Sequence, residues 1–212
     1  MQISQAKENI LKKIRQALVN PTPVPFPQSE GNSSVYAPPK QENEIEFAEN
    51  FGRVQGRFLY CSNTEEMIQQ LKQLISQQGW AQIFCREKGL LLILEEPLKG
   101  LLIDDDLPEA DVSITGCETL IARTGSIMMS SAQDSGRTVS IYAPVHICIA
   151  YSSQLVYDIR DGLEILTEKY KNKIPSFITL ATGPSRTADI EKTLVVGVHG
   201  PKDVYVFLVD AQ

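Results

Sequence analysis

An apolar strand, a capped amphipathic helix and a second apolar strand follow one another between residues 57 and 86. RFLYC at Arg57–Cys61 has the composition of a short strand, and WAQIFCR at Trp80–Arg86 that of another. Between them TEEMIQQLKQLISQQG repeats its apolar residues at helical spacing, with Asn63 or Thr64 to cap its start and Gly79 to close it. Strand–helix–strand order predicts an α/β fold. Further helices are predicted over residues 42–52, 88–99 and 158–172, and a short strand at Leu101–Ile103. From residue 111 the chain turns strand-rich, in DVSITGCETLIA, GSIMMSS, TVSIYAP and HICIAYS, and later in FITLAT and VYVFLVD. This pattern predicts a central mixed or mostly parallel sheet with helices on both faces, its ligands gathering where strands end in loops.

Residues 1–40 read differently. Ile3, Ala6, Ile10, Leu11, Ile14, Ala17 and Leu18 line one side of a helix, with Lys7, Glu8, Lys12, Lys13 and Arg15 between them. Residues 21–40 then hold six prolines in twenty positions, an extended strap rather than a packed element. The division expected is an N-terminal amphipathic helix and proline-rich strap over 1–40, and one domain over 41–212. The apolar stripe of the arm has to be buried either on its own domain or on a neighbouring subunit, and the second points to self-association through residues 1–40.

The formal net charge is −6, which argues against a general nucleic-acid binder. No apolar run approaches the roughly 20 residues of a membrane span, and the first helix is too charged for a secretory signal core. The four cysteines, Cys61, Cys85, Cys117 and Cys148, form no CxxC and no Cys/His pair at metal spacing. They read as reduced thiols of a cytoplasmic protein without a metal site. The run Asp104–Asp106 reads as a solvated strand end rather than a metal site.

Chemistry concentrates in TGPSRTADIEKTLVVGVHGP, residues 182–201. Gly183-Pro184 breaks the preceding strand, and Ser185, Arg186 and Thr187 then offer two hydroxyls, a guanidinium and backbone N–H groups. That set suits an anion, particularly if Ser185 or Thr187 caps a short helix at Asp189–Lys192. In the site expected here Asp189 orients Arg186. The competing reading is a turn whose arginine pairs with Asp189 or Glu191. His199, between Gly197 and Gly200, is the candidate proton carrier. Thr124, Gly125 and Ser126 form a hydroxyl-lined turn, either a plain hairpin turn or the wall facing that loop. His146, in PVHICIAY, reads as a partly buried, polar-bonded histidine beside a strand, with the lining of a pocket as the alternative, and QDSGR at residues 133–137 reads as a solvated loop. No GxGxxG, P-loop, HExxH or GxSxG motif is present.

GPSRTADIE followed by GVHGP resembles the C-terminal signature of the LUD-domain lactate-utilization proteins of the LutC/YkgG type. ITGCETLIARTGSIMM and APVHICIA are similar to further stretches of that family, so the resemblance covers nearly the whole chain. It implies a NagB/RpiA/CoA-transferase-like α/β sandwich. It also implies an accessory role in oxidising L-lactate to pyruvate, beside iron–sulfur partner subunits that hold the clusters, with no cofactor in this chain. Arg123 stands where the family commonly has Glu before TG[ST], a reversal of charge that would favour an anionic ligand there.

Two other classes stand beside that one. A stand-alone enzyme or binder of a phosphorylated or CoA-type ligand would use the GPSRT loop, with Glu118 or Glu191 as candidate nucleophile. A structural assembly module would act through residues 1–40.

Overall fold

The computed structural model describes residues 5–19, 38–103, 107–171, 173–188 and 194–210. The chain separates into two compact units, Met1–Pro38 and Pro39–Gln212. In the first, α1 (Gln5–Val19) is the amphipathic helix expected, with Ile10 and Ile14 exposed.

The second unit opens with α2 (Asn43–Arg53) and β1 (Arg57–Cys61). The helix α3 (Thr64–Gln78) starts where the Asn63 side chain accepts from the Glu66 N–H, and stops at Gly79, whose φ of 70° lets the chain reverse. Then come β2 (Ile83–Cys85), α4 (Lys88–Leu94), β3 (Leu102–Ile103), β4 (Val112–Thr115), β5 (Thr119–Ile121) and β6 (Ser126–Ser130). They are followed by α5 (Val139–Tyr142), β7 (Val145–Tyr151), β8 (Leu155–Val156) and α6 (Ile159–Tyr170). The last elements are β9 (Ile178–Ala181), β10 (Arg186–Ala188), β11 (Leu194–Val196) and β12 (Asp203–Val209).

Six strands form one sheet in the order β1-β12-β7-β4-β2-β3, every neighbouring pair parallel. A second sheet, β8-β5-β6-β9, has one parallel and two antiparallel pairs, and β10 and β11 make an antiparallel hairpin. The α/β class with a central parallel sheet is as the sequence predicts. Helices lie on both faces as expected, and on one of them a second sheet joins the helix. One face of the parallel sheet packs on α3 and α4, through Met67, Leu71, Ile75, Leu90 and Leu94. The other packs on α2 and on the second sheet, through Phe47, Phe51, Leu120, Ile127 and Met129. The strand β12 shows why: Tyr205, Phe207 and Val209 face the helices while Val204, Val206 and Leu208 face the second sheet. The helix α6 covers the outer side of that sheet through Leu166, against Ile121 and Met128.

Three local expectations change. TVSIYAP is not a strand; α5 lies within it because Val139 and Ala143, one helical turn apart, are both buried against Phe84, Leu107 and Ala110. The helix predicted over 88–99 ends at Leu94, shortly before Pro97, as expected for a residue that disfavours helix before it. DVSITGCETLIA is two strands in two different sheets, with Gly116 and Cys117 carrying the chain across. Residues 104–106 and the helix expected at Asp189–Lys192 lie outside the described residues. All four cysteines are buried and free.

Candidate functional site

Where β9 ends, its loop meets the amino ends of β7 and β12 and encloses a cavity of ≈ 280 Å³. Thr182, Gly183 and Ser185 form one side, His199 and Gly200 another, and His146 and Val204 reach it from the parallel sheet. Ser140 of α5 and Thr179 of β9 add two further hydroxyls. The loop does follow the end of a strand, as expected, but that strand belongs to the second sheet, and its neighbours His146 and Val204 are each the second residue of their strand.

The two halves of the GPSRT–GVHGP stretch converge because they flank one hairpin. Arg186 pairs with Val196 in β10–β11. Beyond that register the Ser185 N–H donates to Pro201 O at 2.9 Å and the Gly197 N–H donates to Ser185 O at 2.9 Å. Gly183 has φ 76°, and a Cβ there would lie 2.4 Å from Val54 O. Only glycine permits both the turn and the approach.

Of the residues predicted from sequence, Gly183, Ser185 and His199 line the cavity. Arg186 does not. Its guanidinium donates to Val54 O at 2.6 Å and to Gln55 Oε1 at 3.3 Å, fastening the loop to the turn after α2. Thr187 lies in β10, opposite Val195, so neither it nor Ser185 caps a helix. Asp189 and Glu191 lie outside the described residues. Thr124 and Ser126 stand one step behind the cavity: their hydroxyls are 2.7 Å apart, and Ser126 Oγ is 2.8 Å from Thr182 Oγ1, which lines it. The predicted facing wall is therefore Met129 and His146 instead. Gly125, with φ 59°, packs on α2 so closely that a Cβ would sit 2.4 Å from the Phe51 nitrogen. Asn50 adds hydrogen bonds from its side-chain amide to Ala122 O and Arg123 O. The TGS turn is a packing element.

Arg123 is also accounted for within the fold. It pairs with Asp158, the residue that caps α6 by accepting from the Arg160 N–H. Asp158 is held below the usual carboxylate range: burial acts to raise it, and the hydrogen bonds from the Arg160 N–H and Arg123 outweigh burial. Arg123 thus serves an ion pair at the start of α6. Glu118, the nucleophile candidate, accepts from Ser130 at 2.6 Å, Tyr170 at 2.7 Å and Lys169 at 2.8 Å. Burial acts to raise its pKa, yet these three donors hold it below the ordinary value, and its side chain is only 1% exposed. A carboxylate so engaged is a structural anchor. The QDSGR loop is likewise tied down, with Asp134 accepting from the Lys88 N–H and Arg137 donating to Ser176.

The residue that sequence reasoning left out of the site is His146. It is buried, and its Nε2 lies 2.8 Å from Thr115 Oγ1 on the neighbouring strand. Burial lowers its pKa to about 4, so the ring is neutral at physiological pH. The signal was in PVHICIAY: Val145, Ile147 and Ile149 share one face, which leaves His146 facing the second sheet with Cys148 and Ala150.

The LUD-domain family model matches residues 45–209, from within α2 to the last residue of β12. The chain belongs to the LUD-domain family. Among its relatives, Lactate utilization protein C of Bacillus subtilis is 39% identical over 105 residues, covering 48% of this chain and 44% of that protein. The protein of the same name from Geobacillus sp. is 30% identical over 167 residues, 68% of this chain and 69% of the relative. For several of these relatives the match spans about half of their length. The crystal structure of a DUF162 family protein from Deinococcus radiodurans shares the fold, with TM-score 0.57, 22% identity, and coverage of 79% of this chain and 96% of that one. Among the described residues no helix is long and apolar enough to cross a membrane.

Proposed function

We propose that this chain is the accessory subunit of a cytoplasmic L-lactate oxidation system, resembling LutC. The observation that carries the reading is the LUD-domain match over residues 45–209, joined to relatives named Lactate utilization protein C. Oxidation of lactate to pyruvate releases two electrons and two protons. In this reading iron–sulfur clusters held by partner subunits accept the electrons, and the chain itself holds no cofactor. Its own contribution is the cavity built by Thr182, Gly183, Ser185 and His199, with His199 as the residue placed at the rim to exchange a proton. Self-association is assigned to residues 1–40, through the exposed Ile10 and Ile14 of α1.

The alternative, a phosphorylated or CoA-type ligand, draws no support from the lining. Among the described residues no lysine or arginine borders the cavity, Arg186 is committed to Val54, and Glu118 is enclosed by three donors.

Affinity purification of the tagged chain from its native cells, with mass spectrometry and a visible spectrum of the eluate, tests the proposal. Cysteine-rich partners, a brown eluate and lactate-dependent dye reduction are expected. A colourless protein recovered without partners overturns it.

A further inference from the structure

The cavity holds one buried polar side chain whose hydrogen-bonding capacity is incompletely used. A threonine hydroxyl has a single proton. Thr115 Oγ1 donates to Gly116 O at 2.9 Å, and its other polar neighbours are His146 Nε2 at 2.8 Å and the weakly accepting Met129 sulfur at 4.0 Å. Both close contacts are hydrogen bonds at once only if Thr115 gives its proton to the carbonyl and accepts from a protonated His146 Nε2, and that is the tautomer assigned here. The neutral ring then has a bare Nδ1, an acceptor. Among the described residues the His146 ring makes no second hydrogen bond, although the residue is only 1% exposed and lines the cavity.

We propose that His146 Nδ1 accepts a hydrogen bond from the hydroxyl of a small 2-hydroxy acid bound in this cavity. The ligand class rests on the lactate reading above; the tautomer rests on the Thr115 geometry alone. The lining suits the rest of such a molecule. The hydroxyls of Ser140, Thr182 and Ser185 and the imidazole of His199 can donate to one small carboxylate, and among the described residues no Asp or Glu stands in the lining to repel it. A volume of ≈ 280 Å³ admits a compact ligand. Thr115 is a positioning residue: it touches the histidine and fixes which nitrogen is bare.

The test uses the full-length protein and L-lactate. Nitrogen-detected NMR of the His146 ring is expected to show a protonated Nε2 and a bare Nδ1 in the free protein. Lactate should then move the Nδ1 resonance, and propionate, which lacks the hydroxyl, should not. By calorimetry His146→Phe should bind lactate roughly tenfold more weakly, the loss of one hydrogen bond from a desolvated site. Thr115→Val should scramble the tautomer and weaken binding, and Thr115→Ser should restore both. A proton on Nδ1, equal binding of lactate and propionate, unchanged binding by His146→Phe, or no lactate binding each overturns the proposal. The tautomer and the lactate–propionate comparison are read on the wild-type chain, so they decide the matter even where a variant does not fold. If lactate fails here while the iron–sulfur partners still co-purify, the ligand assignment falls and the accessory role stands. If lactate binds at His146 and no partners co-purify, the accessory role falls and the ligand assignment stands.

Discussion

The two faces of the parallel sheet are built from the same strands and do different things. Toward α3 and α4 the sheet presents Val112, Ile114, Val145, Ile147, Tyr205 and Phe207, a continuous apolar surface. Toward the second sheet the same strands β4 and β7 present Ser113, Thr115, His146 and Cys148, all buried. A face made only of hydrocarbon maximises burial and has nothing to offer a ligand. A face that buries hydroxyls and an imidazole gives up part of that gain and is tolerable only with hydrogen-bond partners in place. The cavity opens on the second face. The difference teaches that one face gives itself wholly to packing, while the other adds to its apolar core a set of buried polar groups beside the cavity.

The contrast can be broken or sharpened by substitution. The largest effect is expected for Phe207→Ala, on the helix side, which should cost about 4 kcal/mol in denaturant unfolding and leave the cavity's binding unchanged in the folded fraction. A loss below about 1 kcal/mol would mean this face does not give itself wholly to packing. Next is acid. The His146 pKa is about 4 in the folded chain and about 6.5 unfolded, so the unfolded state takes up the proton first. The stability this neutral histidine confers is complete above about pH 6.5 and is lost as pH falls toward 4, on the order of 3 kcal/mol in all. Unfolding curves of the wild type and of His146→Phe across that range should diverge, the variant being the flatter. Smaller again, Thr115→Val removes the one hydrogen-bond partner recorded for the His146 ring and should cost about 1–3 kcal/mol, with Thr115→Ser close to wild type. Smallest is Arg186→Ala. Its hydrogen bonds are exposed, so a change within about 0.5 kcal/mol is expected, together with unaltered lactate affinity. A large affinity loss there would return Arg186 to the site.

Features carried by neighbouring residues were readable before the structure. The whole of β1, and α3 with its Asn63 cap and Gly79 stop, depend on local hydrogen bonds and spacing. The convergence of GPSRT with GVHGP was readable only as a resemblance, because it needs the β10–β11 register to bring them together. What could not be read was partnership at long range. Arg186 looks like an anion ligand until Val54, 132 residues earlier, occupies it. Val139 and Ala143 read as strand residues until Phe84 and Leu107 make a helical face worth burying. His146 was visible as a polar residue in an apolar strand, but its place in a cavity depends on a second sheet that no stretch of sequence announces.

The register of the parallel sheet also governs the order in which it can be assembled. β1 lies at the edge and, among the described residues, pairs with β12 alone, Arg57 opposite Tyr205 and Cys61 opposite Val209. On a ribosome that strand emerges early with α2 and α3 but has no native strand partner until almost all of residues 57–209 have been synthesised, so its backbone donors and acceptors remain open through most of elongation. Such a strand is a template for intermolecular pairing, and closing a contact of this sequence separation is slow. Truncations that remove β12 should therefore yield aggregation rather than a smaller soluble domain, and the yield of native protein should depend on temperature and chaperone supply during synthesis more than its final stability would suggest.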